Sequence, residues 1–256
     1  MQTLMTGSTT PAVFPFPAWQ PSLPPRGWEA EQGGQGGQSL GFLFRDAALE
    51  PFGVGQTVFW EGDGAEDVFT VAEGLLRLYR ALPDGRRAIT GFACAGEIVG
   101  LAFTGRYPCS AEAVGEVKLR RVSRRSLYSA ADEIPSLRFE ALATIAGELG
   151  RAQDQIVLLG RKTADERVAS FILAMAERIG QSRREIDLPM SRLDMADYLG
   201  LTIETVSRVL TRMQREGVIS FRGRYHLIIE RPRCLRDLSG GASDADGDGL
   251  PLARAG

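Results

Sequence analysis

The chain has 256 residues, 44% hydrophobic and 24% charged with a formal net charge of −2, which is ordinary for a globular chain and long enough for two modest cores. It contains no run of roughly 18 to 20 apolar residues, which excludes a membrane-spanning helix, and its first residues lack the basic and apolar segments of a secretory leader, so a cytoplasmic location is expected. Cys94, Cys109 and Cys234 are odd in number and far apart, which argues against a disulfide framework and for reduced thiols.

The small net charge hides an uneven division. Residues 161–238 carry 15 Lys and Arg against 11 Asp and Glu, whereas residues 1–160 carry 14 against 18. A basic C-terminal segment on a mildly acidic chain is the balance of a nucleic-acid reader attached to a sensor, and the motifs must decide.

Residues 1–38 are crowded with Pro, Gly, Gln, Ser and Thr and show no amphipathic period, so they are expected to be disordered. Residues 39–131 are read as an all-β sensor domain. Short apolar runs at Thr57 to Trp60, Val68 to Val71, Leu75 to Ala81, Ala88 to Phe92, Ser110 to Val114 and Val117 to Val122 are separated by glycine turns. Asp84-Gly85 lies between two of these runs, a pair suited to a hairpin turn. The order of turns predicts a small antiparallel roll with jelly-roll connections.

Over residues 132–161 the period becomes helical. Leu142, Ile145, Leu149, Ala152, Ile156 and Leu159 recur at steps of 3, 4, 3, 4 and 3, a heptad seam. A long helix with a narrow apolar stripe buries it against a copy of itself, giving a homodimer; the other reading is that the stripe covers the chain's own β-roll.

Residues 162–238 carry the motif. After an amphipathic helix bearing Val168, Phe171, Ile172, Met175 and Ile179 on one face, Ser191 to Leu201 reads as a short helix capped by Ser191 and ended at Gly200. Thr202 then caps a second helix, Ile203 to Glu216, whose Ile203, Val206, Leu210 and Met213 are expected to face the core. Glu204, Ser207 and Arg208 stand at i, i+3 and i+4 on the opposite face near the N-terminus, the end that enters a major groove in helix-turn-helix proteins. Arg suits O6 and N7 of guanine, Glu accepts from N4 of cytosine, and Ser meets a base or a phosphate. Val218 to Phe221 and Tyr225 to Ile229 flank Arg222-Gly223-Arg224 as a wing whose arginines reach phosphates. Ser191, Arg192, Thr202, Thr205 and Arg212 are the further residues expected to touch the DNA backbone or support the reader. Residues 239–256, rich in Gly, Ala and Asp, are expected to be disordered.

Gly160-Arg161-Lys162, Glu166-Arg167-Val168-Ala169 and above all Ser191 to Arg208, SRLDMADYLGLTIETVSR, resemble the CRP/FNR superfamily, and most of all its FixK-type branch, over about residues 40 to 236. The resemblance implies an α+β fold: a cyclic-nucleotide-binding-like β-roll, a long dimerisation helix and a C-terminal winged helix-turn-helix. It also implies a double-stranded DNA partner with a palindrome near TTGAT-N4-ATCAA, RNA polymerase as a further partner, and a place in oxygen-responsive gene control. CRP-type readers have Arg where this chain has Ile203 and Gly where it has Ser207, which favours the FNR/FixK box.

In the sensor half the resemblance is informative through what is missing. FNR proteins carry an N-terminal cysteine cluster for an iron–sulfur centre, but no cysteine precedes Cys94 here, and three scattered thiols cannot supply four ligands. Cyclic-nucleotide binders keep Gly-Glu, then an Arg for the cyclic phosphate, then Ser-Ala. Gly96-Glu97 and Ser110-Ala111 remain, but Cys109 stands at the arginine position, with Arg106 the nearby substitute. Ala152 and Gln153 stand where cAMP receptors place hydroxyls. The one histidine, His226, lies in the wing rather than near the roll, so haem ligation in the roll is not expected. No cofactor is expected. Cys234, Cys109 and Cys94 are redox candidates only where exposed with a depressed pKa, and are otherwise small packing residues. With no nucleophile elbow, phosphate loop or metal-ligand set, an enzyme is not expected. The alternative kept open is a small-molecule or redox-responsive repressor of the same fold.

Overall fold

The computed structural model describes residues 39–101, 105–179 and 184–240. The tails read as disordered lie outside these residues except for Ser239 and Gly240. Ser239 caps the last helix, and its carbonyl accepts from Lys162 Nζ at 2.9 Å, so the ordered chain runs past the boundary expected at 238.

A one-turn helix α1 (Leu40–Phe44) precedes eight strands: β1 (Leu49–Phe52), β2 (Thr57–Phe59), β3 (Asp67–Glu73), β4 (Leu75–Ala81), β5 (Arg87–Cys94), β6 (Ile98–Val99), β7 (Ser110–Ala113) and β8 (Val117–Ser123). They form two antiparallel four-stranded sheets, β1-β8-β3-β6 and β2-β7-β4-β5. Pairs β1·β8, β2·β7, β3·β6 and β4·β5 are nested, as in one long hairpin wound on itself, which is the jelly-roll connection the turn order predicts. Between the sheets lie Phe59, Phe69, Val71, Leu76, Val99, Val117 and Leu119, with Phe59 stacked 3.9 Å from Tyr107. At Gly74, which alone joins β3 to β4, φ is 91° and an added Cβ would stand 2.5 Å from the Glu116 carbonyl oxygen, so only glycine fits. The β4–β5 hairpin closes with Gly85 N–H on the Leu82 carbonyl, Pro83 at the second turn position and Gly85 at φ 83°.

Helices α2 (Arg124–Glu133) and α3 (Pro135–Arg161) follow, separated by Ile134 with proline at the start of α3, where its missing N–H costs nothing. Leu40, Phe44, Val68, Leu127, Ala131 and Leu137 make a second core that ties α1, α2 and the start of α3 to the β-roll. Beyond it α3 emerges with Leu142, Leu149, Ala152, Ile156 and Leu159 exposed. Ile145 is half-buried in the single chain and lines a cavity of about 340 Å³ with Leu127, Tyr128 and Ala131. Phe139, Leu142, Ala146, Leu149, Gln153 and Ile156 form an exposed stripe at heptad steps that shares Leu142, Leu149 and Ile156 with the expected seam.

The C-terminal unit comprises α4 (Ala164–Ile179), β9 (Glu185–Asp187), α5 (Arg192–Leu199), α6 (Ile203–Arg215), β10 (Ile219–Arg222), β11 (His226–Ile229) and α7 (Pro232–Leu238). Its core joins Val168, Phe171, Ile172 and Met175 of α4 to Met195 and Leu199 of α5 and Val206, Leu210 and Met213 of α6. The same apolar cluster takes in Leu75, Tyr79, Ile89 and Phe92 of the β4–β5 hairpin, so reader and roll are packed together. Among the described residues no helix is long and apolar enough to cross a membrane.

Candidate nucleic-acid interface

Helix α5 begins in a reciprocal capping box. Ser191 Oγ accepts from Asp194 N at 3.0 Å, and Asp194 Oδ2 accepts from Ser191 N at 3.0 Å and from Ser191 Oγ at 2.7 Å. It ends at Gly200 in the left-handed region (φ 60°, ψ 40°), which turns the chain into α6 within three residues. Thr202 Oγ1 then accepts from Thr205 N at 3.2 Å and starts α6.

The buried stripe of α6 is Val206, Val209, Leu210 and Met213. Ile203, expected in the core, is 40% exposed, because it opens the first turn of the helix and Val209 takes up the packing further along. Glu204, Ser207 and Arg208 are all exposed, on the face opposite the buried stripe. Glu204's own backbone amide, then the Thr202 hydroxyl and nearby Arg208, hold its carboxyl below the usual range, so it is an ionised acceptor at neutral pH. An anionic acceptor and a guanidinium one turn apart on an unencumbered helix face present both halves of a donor–acceptor code to a groove.

The supporting residues divide into two sets. Arg222 and Arg224 are exposed around Gly223 at the wing tip, with Arg224 over the Tyr225 ring at 5.2 Å. The others are committed within the protein. The Ser191 hydroxyl is used in the capping box, and the Thr205 hydroxyl stands 3.1 Å from that of Thr202. Arg192 lies over the Phe221 ring at 4.7 Å, and burial lowers its pKa, so it braces α5 against the wing. Arg212 is ion-paired with Asp165 of α4 at the surface, so its guanidinium is engaged within the protein.

Three residues absent from the expected set hold the reader in place. Arg167 donates to the carbonyls of Leu159, Lys162 and Leu199, each at 2.9 Å, binding the end of α3 to the helix-turn-helix turn. Gln155 Nε2 donates to Tyr198 O at 2.6 Å, and Asp194 reaches the β-roll. Each partner is a backbone group or a residue far along the chain, which spacing does not reveal.

In the roll, Glu97, the acid expected of a nucleotide pocket, is turned to other work. Its carboxylate accepts from Cys94 N at 2.9 Å and from Arg178 of α4 at 2.7 Å. Arg106 donates to Gly62 O at 2.6 Å. Burial, followed by Glu148 and Glu61, pushes the Cys109 thiol up to about 11, the opposite of a reactive thiolate. Cys94 is buried and Cys234 half-buried. Native protein treated briefly with iodoacetamide near pH 7.5 should leave Cys109 unmodified in peptide mass maps and urea-unfolded protein should not. Rapid native labelling would show that the thiol is open. His226 Nδ1 lies 2.8 Å from Asp187 Oδ1 on the three-stranded sheet of the wing, a packing role.

A β-roll joined through a long helix to a winged helix-turn-helix with a free polar reading face defines a DNA-binding transcription regulator. Residues 166–238 match the Crp-like helix-turn-helix domain, and residues 49–133 the cyclic nucleotide-binding domain. The chain is 45% identical over 172 residues to the nitrogen fixation regulation protein FixK of Bradyrhizobium diazoefficiens, covering 66% of this chain and 73% of that protein. It is 40% identical to the transcriptional activatory protein AadR of Rhodopseudomonas palustris, over 66% of this chain and 72% of the relative. The solved structure of FixK2 from Bradyrhizobium japonicum superposes with a TM-score of 0.74 at 38% identity, over 77% of this chain and 99% of that one. The chain belongs to the CRP/FNR family of transcription regulators, a family of regulators and not of enzymes.

Proposed function

We propose that the protein is a homodimeric activator that reads an FNR/FixK-type palindrome near TTGAT-N4-ATCAA and serves oxygen-responsive gene control. The observation that carries this reading is the exposed stripe of Glu204, Ser207 and Arg208 on α6, whose opposite face is fully used in packing. Arg208 takes guanine, Glu204 takes cytosine, and Ser207 meets a base or a phosphate; Arg222 and Arg224 contact the phosphates beside them. Two such readers suit two half-sites one helical turn apart.

Dimerisation through α3 is supported by its exposed apolar stripe, in which Phe139 is 73% and Ile156 70% exposed in the single chain. Activation is supported by the likeness to a relative named as an activatory protein, and the physiological setting by the likeness to FixK regulators. The β-roll is the surface offered to RNA polymerase. The reader requires no cofactor in this scheme, since Glu97 is committed to Arg178 and the arginine position of a cyclic-phosphate site holds Cys109.

A gel shift at moderate salt tests the reading. The palindrome should be bound at least about a thousandfold more tightly than a scrambled duplex of equal length. Equal affinity for the two duplexes would refute it.

A further inference from the structure

The carboxylate of Asp194 is divided between two tasks. Oδ2 closes the capping box at the start of α5, while Oδ1 accepts from Arg77 Nη1 of β4 at 3.0 Å, across 117 residues of chain. Asp194 is 3% exposed, and the same Arg77 pairs through Nη2 with Glu112 of β7. Arg87 of β5 adds a looser second contact, with Nη2 3.7 Å from Asp194 Oδ1 and 4.0 Å from Asp197 Oδ2. Two guanidinium groups of the roll are therefore set against two carboxylates of the first reader helix.

Beside this cluster the two units meet through rings. Phe92 of β5 lies 5.5 Å from Tyr198 of α5 and 6.1 Å from Phe171 of α4. Apolar contact supplies adhesion but little direction, since rings slide over one another at small cost. A buried ion pair behaves in the opposite way. Desolvation offsets much of its attraction, yet a shift of an ångström or two breaks its hydrogen bonds and leaves charge unpaired, so it selects one arrangement among many.

We propose that Arg77 is a positioning residue for DNA reading. Acting through Asp194, it sets the orientation of α5 on the roll. The turn at Gly200 and the Thr202 cap carry that orientation into α6. In a dimer joined by α3, this fixes the separation and tilt of the two reading stripes. The inference rests on the dimer-and-palindrome reading above, and it makes the roll the frame that presents the reader with no ligand in between.

The test uses the full-length protein and two duplexes, one with the complete palindrome and one with a single half-site. Arg77→Met keeps the aliphatic stem and removes the charge. It is expected to weaken palindrome binding by about tenfold, because the competent orientation becomes a minor population. Half-site binding should stay within about twofold of the unaltered protein, and Arg77→Lys, which reaches one carboxylate at a time, should recover part of the loss. Should Arg77→Met melt early, Arg87→Met carries the same comparison with a smaller expected loss. Unchanged palindrome binding overturns the proposal, and so does an equal loss on both duplexes, which would mean damage to the reader itself. If the unaltered protein has no preference for palindrome over half-site, the palindromic reading fails and takes the proposal with it.

Discussion

Arg208→Ala is expected to cost about 1–3 kcal/mol for each half-site of the cognate duplex, roughly 5- to 150-fold in affinity. The side chain is exposed and lies outside the buried stripe of α6, so its removal creates no cavity. Alanine is the better helix former, and the melting temperature should stay within a degree or two. The loss should be largest on the cognate sequence and nearly absent on unrelated DNA, so that discrimination at one base pair of each half-site relaxes. Arg208→Lys should rescue it only in part, because a flexible ammonium lacks the planar fork that holds both donations to O6 and N7 in place. Fluorescence anisotropy with duplexes varied one base pair at a time measures this directly. A uniform loss at every sequence would reassign Arg208 to the phosphate backbone.

The helix-turn-helix is legible in the sequence because its signals are local. Ser191 with Asp194 three residues on, Gly200 at the end of α5 and Thr202 before α6 each act within one turn of their own position, and each adopts the conformation its chemistry favours. The larger strands of the roll are legible for the same reason, through apolar runs between glycine turns. The strands that escape the reading are those whose stability is borrowed from neighbours. Strand β1 contains Pro51 and survives as the edge of its sheet, where the missing N–H is not needed. Strand β9 has three residues, with Ile186 alone buried between Glu185 and Asp187, and β6 has only two.

The links between the roll and the reader are illegible for a different reason. Arg77 with Asp194 and Arg178 with Glu97 depend on the packing of distant elements, and a single sequence carries no period or spacing for them. They also change what the sensor half means. A glutamate that matches a nucleotide-pocket motif is held by α4 of the reader, so the fold of a ligand-binding roll is retained while one of its polar groups is spent on holding two units together.

The seam on α3 gives the other large expected effect. Leu149 is 60% exposed in the single chain, so Leu149→Asp removes little intrachain packing, and the variant should keep its circular dichroism and fold. In a symmetric dimer the same position meets its own copy. Each substitution then removes roughly 1.5–3 kcal/mol of leucine burial, and two facing carboxylates add repulsion and desolvation. The sum exceeds several kcal/mol, enough to weaken association more than about a thousandfold and leave monomers at micromolar concentration. Sedimentation velocity should show the native chain as a dimer and Leu149→Asp as a monomer. Palindrome binding should fall to the half-site level, since the second reader is no longer tethered at high effective concentration. Gln153 on the same stripe should tolerate replacement by leucine with tighter association, because a polar group in a heptad seam sets register at some cost in stability. A Leu149→Asp protein that still sediments as a dimer would place the self-association elsewhere and leave the exposed face of α3 for another partner.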